Sequence, residues 1–192
     1  DPDLLRQLAG QLFETVLEGP PRWTGPVAQE EANGGRLTLL GDGTLLIGIG
    51  DLLDPDLADD PTAPNSKILA IDAEGNVRPW ATGFNNPFAL DSDGDTTVWV
   101  ADNAPGSRAE RLLRVTEGGV EVVAEWDDTR VPSALTVLED GRLAVCYLAT
   151  RALAIIDPND PGDATGTVIA DDCAYSVVEL PNGGLAYSTE TA

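Results

Sequence analysis

The chain contains no histidine and no methionine, and only one of its 11 basic residues, Lys67, is a lysine. Without imidazole it has no side chain whose ordinary pKa lies close to neutrality, so histidine-type general-base chemistry is excluded. Its two cysteines, Cys146 and Cys173, cannot form a zinc site by themselves. No stretch approaches the roughly 18 apolar residues that a membrane-crossing helix requires. Positive charge is scarce. The 33 acidic residues leave a formal net charge of -22, which argues against nucleic acid or an anionic membrane as partner. It fits a cation-rich setting or a cation ligand, and salt would relieve the self-repulsion.

What is present is a repeat. The runs LTLLGDGTLLIGIGD from Leu37, FALDSDGDTTVWVADN from Phe88, LTVLEDGRLAVCYLAT from Leu135 and VVELPNGGLAYSTETA from Val177 share one pattern. Each is an alternating apolar strand, a turn on Asp-Gly or Asn-Gly, and a returning strand. Glycine accepts the positive φ that such a turn needs, and alternation buries one face of each strand. The turn glycines Gly43, Gly94, Gly141 and Gly183 recur at intervals of roughly 40–50 residues. A second hairpin family, opening at Lys67, Arg111 and Arg151, fills the gaps, each member starting on a basic residue. One hairpin of each kind makes a four-stranded antiparallel blade that must stack on its neighbours. The fold class expected is therefore all-β, a β-propeller with about four blades in residues 1–192. Hairpins are expected near 4–17, 36–50, 67–82, 87–102, 111–126, 133–149, 151–170 and 175–190.

Residues 1–18 admit two readings. Leu4, Leu5, Leu8, Leu12, Phe13, Val16 and Leu17 follow helical spacing. Gly10 favours instead a strand, a turn and a strand that would pair with the last hairpin and close a ring. The other possibility is a piece of a longer propeller. Long connections are expected at 19–33, 51–66 and 102–110, on one face of the blades, where binding sites usually sit. Trp80, Trp99 and Trp126 lie in strand patterns and are expected in the core. Trp23, within PPRWTGP, would either anchor a loop or stack on a sugar ring. Cys146 and Cys173, in consecutive repeats, are read as a disulfide between adjacent blades, with two buried thiols as the alternative. The chain opens at Asp1 without a signal sequence, and a secreted, periplasmic or cell-surface location is expected.

The ordered set ANGGRLTLLGDGTLLIGIGD, DPDLADDP, KILAIDAEG and GFNNPFALDSDGDTTVWVADNAPG resembles the soluble quinoprotein sugar dehydrogenases, the glucose/sorbosone dehydrogenase family. That family carries pyrroloquinoline quinone (PQQ) and calcium on a six-bladed propeller. The resemblance is clearest from Asn33 to Thr116. It implies hydride transfer from a sugar to the quinone, with a histidine as base just before the GGRL run. Here Ala32 stands at that position, and Asn85 stands where an arginine precedes Asn-Pro. A methyl cannot accept a proton, and a neutral amide cannot pair with a quinone carboxylate.

The resemblance therefore implies no catalytic residue. Asn33, Arg36, Asn85 and Asn86 are the candidates near a cofactor pocket, with Arg36 equally readable as a structural partner of an acid. Asn103, Ala104, Pro105 and Glu110 match the place where the family holds calcium. Asp51 and Asp54, from the acidic loop, are a second calcium candidate or a solvated face. Calcium is a candidate cofactor and PQQ is not expected. The reading is a family-like propeller without sugar-oxidising activity that binds calcium, carbohydrate or protein. The alternatives are a fragment of an active quinoprotein dehydrogenase and a calcium-dependent lactonase or hydrolase.

Overall fold

Fourteen strands account for nearly all the regular structure of the residues that the computed structural model describes, 34–103, 109–126, 130–160 and 165–189. Blade 1 comprises β1 (Gly34–Leu39), β2 (Leu45–Ile49), β3 (Lys67–Ile71) and β4 (Val77–Thr82). Blade 2 comprises β5 (Asn86–Ser92), β6 (Val98–Asn103), β7 (Glu110–Thr116) and β8 (Gly119–Trp126). Blade 3 comprises β9 (Pro132–Val137), β10 (Leu143–Tyr147), β11 (Ala152–Ile156) and β12 (Thr167–Ala170). In each, four antiparallel strands lie in chain order, and β13 (Val177–Glu179) with β14 (Leu185–Tyr187) forms a two-stranded sheet that begins blade 4. The expected hairpin or helix at 4–17, with Ala32, Asn33, Trp23, Ala104 and Pro105, lies outside the described residues.

The turns explain the repeat. In the hairpins ending at Gly43, Gly141 and Gly183, the glycine N–H donates three residues back, to Leu40, Leu138 and Leu180, and each glycine has φ between 75° and 88°. This is a three-residue loop with its last residue left-handed, the conformation that glycine adopts without a Cβ penalty. Asp42 and Asp140 close their loops by accepting from the backbone N–H of Thr44 and Arg142.

Strict alternation persists in β2 but fades in the second strands of blades 2 and 3, which are packed on both faces. β6 and β10 are buried at every position. Leu46, Ile68, Trp80 and Phe84 of blade 1 meet Val98, Val100, Leu113 and Val115 of blade 2. Trp99, Leu112 and Trp126 of blade 2 meet Leu143, Val145, Tyr147 and Ile156 of blade 3, with Trp126 edge-on to Tyr147 at 5.5 Å between ring centroids. The three strand tryptophans are buried, as the strand patterns implied.

A third cluster joins blade 3 to blade 4 and contains both cysteines. Cys146, on β10, and Cys173 are disulfide-bonded, with Cα atoms 5.4 Å apart. Cys173 sits between β12 and β13, where its N–H donates to the Arg151 carbonyl. The bridge thus ties a strand of blade 3 to the connection entering blade 4, rather than joining strands of two blades. It spans 27 residues, for which loop closure suggests about 3–4 kcal/mol of stabilisation. Scanning calorimetry with and without reductant should show a clearly lower Tm on reduction. An unchanged Tm would mean that the bridge constrains nothing.

Candidate functional site

Inner strands begin, and second strands finish, at one end of the blades. Gly34, Asp51, Asn85, Asn86, Asp102, Asn103, Glu110 and Arg111 all gather there. Asp102 is its centre. Completely buried at the end of β6, its carboxylate accepts from the N–H groups of Asn85 at 2.9 Å and Asn86 at 2.7 Å, and pairs with the Arg111 guanidinium. Arg111 also donates to the Gly83 carbonyl at 3.0 Å. A buried carboxylate needs such partners, because an unpaired one would cost several kcal/mol.

The Asn85 amide extends this network to Asp51, which is also buried. Asp51 receives the Leu53 N–H on its other oxygen at 2.8 Å, and its carbonyl accepts from Asn65 at 2.9 Å. Both carboxylate oxygens of Asp51 are thus engaged with protein donors, whereas Asp54 is exposed. Asn86 turns its Oδ1 toward blade 1 and accepts the Gly34 N–H at 2.8 Å. Gly34 has φ of 68°, and a Cβ there would lie 2.6 Å from the Gly48 carbonyl oxygen, so no other residue fits. Pro87 packs on Gly48, where an added Cβ would stand 3.1 Å from its ring.

Among the described residues Arg36 binds carbonyl oxygens rather than an acid. Its guanidinium donates to three carbonyls: Phe88 at 2.8 Å, Ser133 at 3.1 Å and Tyr175 at 2.8 Å, which belong to blades 2, 3 and the start of blade 4. The Phe88 ring lies 5.7 Å below it. The resemblance placed Arg36 near a cofactor; its described hydrogen bonds are all structural.

In the acidic loop, Pro55–Asp59 forms a 3-10 turn. The Lys67 ammonium, almost wholly buried, donates to the carbonyls of Leu57, Ala58 and Asn65 at 3.2, 2.8 and 3.0 Å. Burial lowers its pKa, against the opposing pull of Asp60 and Asp59. A built-in cation therefore organises this loop, a role the lone lysine did not reveal in sequence. The expected loop at 102–110 is also shorter, since Asp102 and Asn103 finish β6 and Glu110 begins β7. Asn103 Oδ1 is buried without a hydrogen-bond partner among the described residues, and Glu110 is fully buried. Among those residues no group of three or more His, Cys, Asp or Glu side chains is placed to hold a metal.

Four-stranded antiparallel blades packed face to face define a β-propeller. The family model for Glucose / Sorbosone dehydrogenase matches residues 7–109, more than half of the chain, so the chain belongs to that family. Among solved structures it is similar to a glucose dehydrogenase (TM-score 0.69, 18% identity, covering 84% of this chain and 59% of that one). It is also similar to the PQQ-bound aldose sugar dehydrogenase from Streptomyces coelicolor (0.64, 19%, 76% and 52%). A third is the soluble aldose sugar dehydrogenase from Escherichia coli in its apo form (0.68, 18%, 82% and 61%). The chain spans about 60% of the length of these structures or less. No curated protein matches it.

Replacing Asp102 by Ala would leave Arg111 and two N–H groups unpaired in a buried site, at a cost of about 3–5 kcal/mol. Urea unfolding should show that loss, and Asp102→Asn, which keeps an acceptor, should lose less. Equal, small losses would deny Asp102 its central place.

Proposed function

We propose that this propeller is a binding member of the glucose/sorbosone dehydrogenase family that does not oxidise sugar. One observation carries the reading: the polar groups at the strand ends are bonded to one another. Asp51, Asn85, Asp102 and Arg111 form one chain of contacts, and Arg36 is held by three carbonyls. A quinone bearing carboxylates requires unshared positive charge at its site. Here Asn85 supplies a neutral amide between two buried aspartates, and Ala32 supplies a methyl in place of an imidazole. The residues present do not fit PQQ.

Calcium is better supported. It takes carboxylate, amide and carbonyl oxygens. Asn103 Oδ1 is buried without a partner among the described residues, and Glu110 lies buried one step beyond the Asp102–Arg111 pair of the same ladder. These two would hold the ion, with the carbonyls of Ala104 and Pro105. Asp51 is a poorer ligand because both its oxygens already accept hydrogen bonds. Asn33, Asn85 and Asn86 would then serve the shape of the pocket, whose ligand is a carbohydrate or a protein surface in a secreted or periplasmic setting. The strongly acidic surface suits an environment rich in cations.

The test adds PQQ and calcium to the full chain. The expected result is no bound-quinone absorbance and no sugar-dependent dye reduction. Calcium alone should raise the Tm, and Glu110→Gln should reduce that rise. Quinone binding with sugar-driven turnover would overturn the reading, and a Tm indifferent to calcium would remove the metal.

A further inference from the structure

The connection that enters blade 4 makes three contacts with other elements through three consecutive residues. Cys173 is bridged to Cys146 on β10, and its N–H donates to the Arg151 carbonyl at 2.7 Å. The Ala174 carbonyl receives the Ser133 hydroxyl of β9. The Tyr175 carbonyl receives the Arg36 guanidinium of β1 at 2.8 Å. One short stretch therefore joins the disulfide to hydrogen bonds that hold blades 1 and 3 at the axis. Its own backbone support is local. The N–H groups of Ala174, Tyr175 and Ser176 all donate to Ser188, just past β14, at 2.9–3.0 Å. Residues 173–176 belong to no strand, and neither cysteine lies in the core between blades 1 and 2 or in that between blades 2 and 3.

We propose that the Cys146–Cys173 bond is a reducible latch. Opened by a dithiol, it releases residues 173–176 and withdraws the Tyr175 carbonyl from Arg36, while blades 1 and 2 stay folded. The two sulfurs are not equally open to attack. Cys146 lies in β10, paired on both sides by β9 and β11. Cys173 lies on a connection whose neighbours Asp171, Asp172 and Tyr175 are exposed. Both cysteines are buried in the closed state, so attack follows a local opening of that connection. A thiolate of the dithiol then bonds to the Cys173 sulfur, and the S–S electron pair leaves on Cys146, which takes up a proton. The dithiol's second thiol displaces Cys173, which is protonated in turn. The protein disulfide gains two electrons and two protons, and the dithiol is oxidised to its cyclic disulfide. Asp171 and Asp172 repel an approaching thiolate, and salt screens that repulsion, so reduction quickens with ionic strength. The inference is independent of what the propeller binds.

Amide hydrogen exchange of the full chain, read by mass spectrometry before and after dithiothreitol, tests the latch. On reduction, exchange at residues 173–176 and 188 should rise about tenfold or more, with β6 as protected as before. Unchanged exchange at 173–176 would overturn the proposal. So would an equal rise in β6, which would make the bond a support of the whole fold. Reduction itself should run at a rate nearly flat in urea below the unfolding transition, because local opening exposes little surface. A rate climbing as steeply as global unfolding, or no reduction of the folded chain, would deny the local route. Arg36→Met tests the coupling to the axis. Its shift of the urea midpoint should be clearly larger in the oxidised chain than in the reduced one, and equal shifts would show that Tyr175 keeps its place without the bridge. If the reduced variant does not fold, the exchange pattern and the reduction rate of the unmutated chain decide.

Discussion

The arrangement depends on one cation placed among backbone carbonyls. Arg36 leaves the first strand of blade 1 and is bound by the first strands of blades 2 and 3 and by the residue leading into blade 4. Much of the contact between blades is apolar, which resists sliding weakly because burial has no direction. Charge-assisted hydrogen bonds are directional and fix the angle at which one inner strand meets the next. Asp91 repeats the device further along the axis, accepting from Thr136 and Val137 of blade 3 at 2.9 Å each and from Thr38 of blade 1. Both residues tie blades 1, 2 and 3 together, with opposite charge, and Arg36 also reaches the start of blade 4.

This changes what the family-defining motifs mean in this chain. Gly34, Arg36, Gly48, Asn86 and Pro87 carry much of the resemblance, and each has an inter-blade task on view. Gly34 gives its N–H to Asn86, Pro87 packs on Gly48, and Arg36 spans the blades. These residues can therefore serve the fold whatever the propeller binds. Asn85, where the resemblance calls for a guanidinium, does not disturb those tasks. Asn85 has joined them through Asp51 and Asp102.

The blades were legible because their turns need glycine at a left-handed position, which marks a hairpin wherever Asp-Gly or Asn-Gly falls between apolar runs. The polar end was legible only as a place. Nothing in the spacing of Asp51, Asn85 and Asp102 reveals that they touch, because these contacts join residues 34 and 17 positions apart, whereas Arg111 faces Asp102 across one ladder. Lys67 was visible as the opening of a hairpin, yet its burial in a carbonyl cage depends on how the 51–66 loop folds back. Arg36 was readable either as a ligand contact or as the partner of an acid, and among the described residues it binds carbonyl oxygens at the axis.

Denaturant unfolding of Arg36→Met, followed by tryptophan fluorescence and far-ultraviolet circular dichroism together, tests the central claim most directly. With three charge-assisted bonds lost from a half-buried group, the expected result is a loss of about 2–4 kcal/mol and two transitions that no longer coincide, as blades separate. Wild-type stability with coincident transitions would contradict it, and would return Arg36 to the role of a ligand-binding residue.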